Sequence, residues 1–152
     1  MAFDKWDYRF IGLCSEIATW SSCFQDNRHV GALTVRDRRV LTTGYNGAPA
    51  GIRSCVERQE CLRRKLEIPS GTRHELCYAA HAEQNALMQA AKLGVSVEGA
   101  TLYVTHQPCS LCTRLIINAG IKRVVYVVAY PDDFSHELFA EAGVVLEQME
   151  GE

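Results

Sequence analysis

His81-Ala82-Glu83 and Pro108-Cys109-Ser110-Leu111-Cys112 are the two runs on which the reading of this chain turns. Each stands at the start of a stretch with helical character. Ala79 to Leu93 is rich in Ala, Leu and Gln and is closed by Gly94, as suits a helix C-terminus. Cys109 to Ala119 reads as a second, largely apolar helix ending at Gly120, and Pro108 just before it has the fixed φ that suits helix initiation. Cys109 and Cys112 are three apart and share one face of the first turn. His81 and Glu83 are two apart, so in an ideal helix they diverge by about 200°. They can serve one point only if it lies over the helix N-terminus, where side chains bend past the end. The two helix N-termini therefore converge, and their positive dipole ends favour thiolate over thiol.

Working outward, apolar residues at Phe10, Leu13, Cys14, Ile17 and Trp20 predict an amphipathic helix from about Trp6 to Cys23. Val30 to Val35 and Arg39 to Thr43 flank Arg36-Asp37-Arg38 and read as a β-hairpin. Thr101 to Thr105 is a strand, and Val124 to Val128 is a near-continuous apolar strand of the kind covered on both faces. A short helix over His136 to Ala142 and a strand over Val144 to Leu146 complete the pattern. This alternation predicts an α/β protein: three layers, α/β/α, with a mixed five-stranded sheet and helices on both faces. Residues 1–152 read as one domain, interrupted by a Cys/His-rich insertion at about 47–77. So long an irregular stretch in a compact domain needs a function or an internal tether.

Composition narrows the function classes. The chain carries 16 Lys and Arg against 18 Asp and Glu, a net charge of −2, which gives no sign of a broad nucleic-acid surface. No apolar run approaches membrane-spanning length, and the first residues lack the form of a signal peptide, so a cytoplasmic location is expected and no membrane partner. Seven cysteines, clustered and accompanied by histidines, favour metal over disulfides in a reducing compartment.

One imidazole from His81 and two thiolates from Cys109 and Cys112 make an open zinc site whose fourth position is left for water. The order H-x-E, then P-C-x-x-C, resembles the signature of the zinc-dependent nucleobase deaminases. That resemblance implies a role for each residue: Glu83, not a ligand, takes the water proton, protonates the ring nitrogen and helps ammonia leave. The backbone N–H of Cys109 is a further donor to the developing oxyanion. Taken alone, His-Ala-Glu is common, and Pro-Cys-x-x-Cys serves redox centres, structural zinc and buried thiols as well. Together, each opening a helix, they are specific.

Gly44-Tyr45-Asn46-Gly47-Ala48-Pro49, His81-Ala-Glu-Gln-Asn-Ala86, Thr101-Leu-Tyr-Val-Thr-His-Gln-Pro-Cys-Ser-Leu-Cys112 and Ile116 to Tyr126 together resemble the deoxycytidylate (dCMP) deaminases of the cytidine/deoxycytidylate deaminase family. The likeness runs from about Ser22 to Tyr130. It implies the cytidine deaminase-like fold and conversion of dCMP to dUMP and ammonia, supplying thymidylate synthesis. It also implies dCTP and dTTP as effectors, and a homo-oligomer, dimer or hexamer. By resemblance Asn46 bonds the sugar, although Asn beside glycine is also ordinary turn chemistry. Tyr130 is a candidate to close over the nucleotide, or an ordinary aromatic at a strand end. Arg28, Arg114 and Arg123 are candidates for the phosphate, with Arg114 favoured by its closeness to Cys112. The family often has Arg before the Ser-x-Cys segment at the end of the first helix; here Trp20-Ser-Ser-Cys23 stands in its place.

Within the insertion, Cys55, Cys61, His74 and Cys77 are a candidate second, structural zinc site, with reduced free thiols as the plain alternative. Cys14 is explained by burial on a helix face, and Cys23 matches a family position without a clear role. Arg63-Arg64-Lys65 reads as a solvated charged face, or else as a contact for a triphosphate effector. Two other functions stay open on the sequence: a zinc deaminase of dCTP, cytidine, guanine or a tRNA adenosine, and a non-catalytic zinc-stabilised binding module. Intact Glu83 speaks against the last, because a structural zinc site has no use for that carboxylate.

Overall fold

Asp4 starts the first helix, α1 (Lys5–Ala18), with a reciprocal cap: its carboxylate accepts from the Trp6 and Asp7 N–H groups, and the Asp7 carboxylate accepts from the Asp4 N–H. The computed structural model describes residues 2–25 and 28–151. The remaining elements are β1 (Gly31–Arg36), β2 (Arg39–Tyr45), the single-turn helices α2 (Cys55–Arg58) and α3 (Leu62–Lys65), a 3-10 turn at His74–Leu76, α4 (Ala82–Leu93), β3 (Thr101–His106), α5 (Ser110–Asn118), β4 (Arg123–Val128), α6 (Asp133–Ala142) and β5 (Val145–Gln148).

The strands form one mixed sheet in the order β2-β1-β3-β4-β5. β1 pairs antiparallel with β2 and β3, while β4 pairs parallel with β3 and β5. Strand alternation sends Ala32, Leu102, Val104, Val124 and Tyr126 to the face covered by α4, α5 and α6. It sends Leu33, Val35, Tyr103 and Val125 to the opposite face, where Phe10, Ile11, Cys14 and Ile17 of α1 cover them. This is the three-layer architecture the sequence predicts.

The departures are local. α1 stops at Ala18, five residues short of the expected end, because Ser21 and Ser22 turn to bond the Asn46 carbonyl instead of continuing the helix. α6 begins three residues early, since Asp132 caps it by accepting from the Ser135 N–H. The hairpin turn is only two residues long, with Asp37 and Arg38 both at positive φ (53° and 61°), as a type I′ turn demands. Among the described residues no helix is long and apolar enough to cross a membrane.

At the start of β4, Arg123 ties three elements together, α1, β4 and β5. Its guanidinium pairs with Asp7 of α1 at 2.8 Å and with Glu147 of β5 at 2.7 Å. The Tyr103 hydroxyl also donates to Asp7 at 2.7 Å. Burial by itself raises the Asp7 pKa, but the hydrogen bonds from Arg123, Tyr103 and the Asp4 N–H outweigh it and hold the carboxyl below its ordinary value. A lowered folded-state pKa stabilises above the unfolded value and is lost as pH falls through the folded one. Asp7→Asn is therefore expected to cost about 3 kcal/mol at pH 7. Denaturant titrations across pH should show the difference from the parent closing below about pH 4. A difference that stays constant to pH 2 refutes the assignment.

Candidate active site

The two parallel strands β3 and β4 end at the same edge of the sheet, which is where open α/β sheets place their ligands. Residues that follow those ends (His106, Gln107, Cys109, Tyr130), the residue before β1 (Val30) and the residue after β2 (Asn46) line a cavity of about 360 Å³. The insertion supplies the opposite wall. It is closed at its base by mutual backbone hydrogen bonds between Gly47 and Ala80.

His81 is the N-cap of α4 and Cys109 the N-cap of α5. Neither side chain caps its own helix; each is free to turn toward the other. The Gln84 carboxamide oxygen accepts from the His81 N–H and fixes the backbone there. His81 Nδ1 lies 3.2 Å from Cys112 Sγ and 3.6 Å from Cys109 Sγ. The tetrahedral edge between ligands at zinc bond lengths is about 3.6 Å. Among the described residues this is the one group of three such donors whose ligand atoms all lie within 4.8 Å of one another. One imidazole and two thiolates fit zinc.

The electrostatics agree. The Cys112 thiol donates to the Cys109 sulfur, and with help from His81 and against burial this brings the Cys109 pKa down to about 4. The same hydrogen bond, together with burial, drives Cys112 upward. His81 is raised chiefly by its bond to Cys109, against burial. Glu83 lies in the first turn of α4, 5% exposed, at the floor of the cavity. Burial pushes its pKa above the ordinary carboxylate value, opposed by the charge of His81. A carboxyl so placed holds its proton more tightly than an exposed one.

β2 and α4 approach unusually closely, which sets where the α4 N-terminus stands. A Cβ on Gly44 would lie 2.2 Å from the Ala82 carbonyl oxygen and 2.5 Å from the Ala86 nitrogen. Gly44 is therefore required by the packing of β2 against α4. Asn46 lines the cavity, but its side chain also works internally: Oδ1 accepts from the Val30 N–H at 2.8 Å and Nδ2 donates to the Arg28 carbonyl at 2.6 Å. Each end retains one further donor or acceptor position.

Tyr130 lines the cavity with its N–H on the Gln107 side chain. Gln107 in turn donates to the Asp132 carbonyl and the Ser135 hydroxyl, and Asp132 accepts from the Ser110 N–H at the start of α5. Gln107 and Asp132 were missed in the sequence, though Asp132 followed three residues on by Ser135 has the form of a helix cap. His106, also on the wall, was missed as well; burial lowers its pKa.

The phosphate candidates are sorted by topology. Arg28 lines the cavity. Arg123 does not: it begins β4, whose other end reaches the cavity about 16 Å away at about 3.3 Å per residue. Arg114 is exposed on the outer side of α5, with its guanidinium 5.6 Å from the Phe134 ring, and is not in the cavity wall. The helix turn that aims Cys109 and Cys112 inward aims Arg114 outward. Arg63, expected on a solvated face, is 6% exposed and lines the cavity.

The insertion cysteines are also regrouped. Cys55, Cys61, His74 and Cys77 do not come together as a ligand set. His74 packs edge-on against His81, with ring centroids 5.1 Å apart, and burial then the charge of His81 lower its pKa. Cys23, at the end of the α1 connection, takes its place beside Cys55, Cys61 and Cys77, whose charges act on one another. Among the described residues all seven cysteines are free thiols.

Comparison with known proteins agrees with this geometry. Residues 4–128 match the family described as the cytidine and deoxycytidylate deaminase zinc-binding region. The chain belongs to that family. It is 43% identical over 131 residues to the deoxycytidylate deaminase of Mycobacterium phage D29, covering 83% of this chain and 97% of that one. It is 39% identical over 147 residues to ComE operon protein 2 of Bacillus subtilis (strain 168), covering 96% and 72%. The dCMP deaminase of cyanophage S-TIM5, solved with dCMP and dUMP, superposes with a TM-score of 0.80 at 28% identity over 98% of this chain and all of that one.

Cys112→Ser should remove one equivalent of zinc from the purified protein, measured by mass spectrometry of the metal after dialysis. Undiminished zinc would place the ion elsewhere.

Proposed function

We propose that this protein hydrolyses dCMP to dUMP and ammonia, furnishing dUMP for thymidylate synthesis. The observation that carries this is a buried carboxylate, Glu83, set beside a His/Cys/Cys donor set at the floor of a nucleotide-sized cavity. Residues 1–152 act as one deaminase domain, with the 47–77 insertion as the wall facing the nucleotide.

His81, Cys109 and Cys112 hold the zinc ion. Bound there, zinc supplies a Lewis acid that brings the pKa of water to about 7. Glu83 accepts the proton of the attacking water and delivers it to N3 of cytosine as the new C4–O bond forms. It then takes the remaining proton from the C4 hydroxyl and passes it to the C4 amino group; the C4–N bond breaks, ammonia leaves and the C4 carbonyl of dUMP remains. The raised pKa of Glu83 suits both halves of this exchange. The Cys109 N–H stands at the α5 N-terminus, where it can meet the developing oxygen charge. Asn46 offers its remaining donor and acceptor to the sugar, and Tyr130 closes the nucleotide side.

A second, structural zinc would draw Cys23, Cys55, Cys61 and Cys77 together, since no three of their ligand atoms lie as close to one another as those of His81, Cys109 and Cys112. Support comes from their mutual charge interaction and from the few buried apolar side chains in the insertion. The outer face of the α4–α6 layer leaves Met88, Leu111, Leu115 and Phe134 exposed, an apolar surface that suits a homo-oligomer. Seven reduced thiols suit the cytoplasm.

Ammonia release should be measured on zinc-loaded protein with dCMP, dCTP, deoxycytidine, cytidine, guanine and tRNA, with and without dCTP as effector. A strong preference for dCMP is expected, and turnover of another substrate alone overturns the assignment. Glu83→Gln should keep its zinc and its melting temperature while kcat/KM falls by about 10³-fold or more. In the parent, the acid limb of kcat/KM should lie above the ordinary glutamate value of about 4.3, because the base must be ionised. Zinc content should be two per chain, falling to one in Cys55→Ser/Cys77→Ser; one per chain in both refutes the second ion.

A further inference from the structure

One carboxylate caps two helices. Asp132 is the N-cap of α6, where its Oδ1 accepts from the Ser135 N–H at 3.0 Å. Its Oδ2 accepts from the Ser110 N–H at 2.8 Å, and Ser110 is the first residue of α5. Cys109, just before it, gives α5 no side-chain cap, since its sulfur faces the other metal donors. Asp132 therefore supplies, from a neighbouring helix, the cap that a metal donor cannot. The Cys109–Ser110 peptide is held at both ends: the Ser110 N–H by Asp132, and the Cys109 carbonyl by the Thr113 N–H and hydroxyl, both at 2.9 Å. With that plane fixed, the Cys109 backbone (ψ 168°) is fixed, and with it the root of the Cys109 side chain.

The other side of Asp132 holds Tyr130. Pro131, between them, lacks an N–H and confines Tyr130 to extended backbone. The Tyr130 carbonyl accepts from the Asp132 N–H at 2.8 Å, and the Tyr130 N–H donates to Gln107 Oε1 at 3.3 Å. Gln107 Nε2 closes the ring of bonds by donating to the Asp132 carbonyl at 3.2 Å and to the Ser135 hydroxyl at 3.1 Å. Gln107 is 5% exposed and Ser135 fully buried, so water offers these groups no substitute partner. Both backbone polar groups of Tyr130 are thus tied to Asp132 or to its partner Gln107. Cys109, Gln107 and Tyr130 all line the cavity. Capping α6 requires Oδ1 alone; the bond from Ser110 serves α5.

We propose that Asp132 is a positioning residue for the reaction: it braces the metal-bearing first turn of α5 against the segment that carries Tyr130, and so sets the distance between the metal donors and the ring that closes over the nucleotide. This rests on the nucleotide deaminase reading above. Asp132 is not in the cavity wall, so it acts through Cys109 and Tyr130 and not on the substrate. A charged acceptor shared by two helix N-termini is a stiffer tie than two separate neutral caps. The stiffness matters because a misplacement of about 1 Å at a reacting centre costs on the order of 100-fold in rate.

Two substitutions cut the tie from opposite ends. Asp132→Ser keeps a favoured cap residue for α6 and has no second oxygen for Ser110. Ser110→Pro removes the N–H itself, at a helix position that suits proline and after a residue already extended, and leaves Asp132 in place. In each variant zinc content should match the parent, while the dUMP dissociation constant from calorimetry and the KM for dCMP rise by about 10-fold or more and kcat falls. The double variant should lose no more than the worse single one, because both remove the same bond. A role confined to capping would lower the melting temperature, leave KM and dUMP binding unchanged well below it, and give additive losses; that result overturns the brace. Should Asp132→Ser fail to fold, Ser110→Pro decides by the same measurements. Failure of the parent to bind dUMP overturns the nucleotide reading instead. The brace is then judged on cobalt(II)-loaded protein, whose thiolate-to-metal absorption bands should shift in both variants; unchanged bands overturn it.

Discussion

Two helices whose N-caps, His81 and Cys109, are candidate metal donors meet at one edge of a sheet, and the rest of the molecule is arranged around that meeting. A helix N-terminus leaves backbone N–H groups unpaired and carries positive partial charge. Most proteins satisfy it with a Ser or Asp cap. Here His81 and Cys109 occupy the cap positions and spend their side chains on each other and on Cys112. Supporting bonds are therefore supplied from outside the donor set: Gln84 to the His81 N–H, and Asp132 to the Ser110 N–H. The closeness of β2 to α4 at Gly44 sets the depth of one helix, and the parallel pairing of β3 with β4 sets the other.

The sheet also separates two charged centres by the length of a strand. The start of β4 holds the Asp7–Arg123–Glu147 network, a structural tie between α1, β4 and β5. The far ends of β3 and β4 hold the donors and the cavity. Salt-bridged carboxylates secure the first centre. In the second, Glu83 feels the charge of His81, and Arg63 is held by the backbone carbonyls of Pro69 and Thr72.

The insertion is the least regular part of the chain, and its order comes from few apolar contacts. Backbone bonds at Gly47 and Ala80 close its base, and the Val56 N–H reaches the Ser22 carbonyl. Arg63 stitches its Pro69–Thr72 turn, and four cysteines gather where it meets the α1 connection. The same segment is thus the wall of the cavity and the region most in need of a tether.

The sequence by itself determined the layers and the donor set. Periodicity marks α1, the alternating strands and the two helices, because burial of one face leaves a repeat of 3.6 or 2 in the chain. His81, Glu83, Cys109 and Cys112 were legible because their spacing is local and lies within single helix turns. What the sequence could not decide was every relation between distant segments. Cys23 with the insertion cysteines, His74 against His81, and Arg63 turned inward all join residues far apart in the chain, and no local spacing records such a meeting. Arg114 and Arg123 show the converse: nearness in sequence to a ligand or a strand said nothing about which side of a helix, or which end of a strand, would face the cavity. Tertiary structure alone settles that, since strand direction and helix rotation are fixed only once the sheet is assembled.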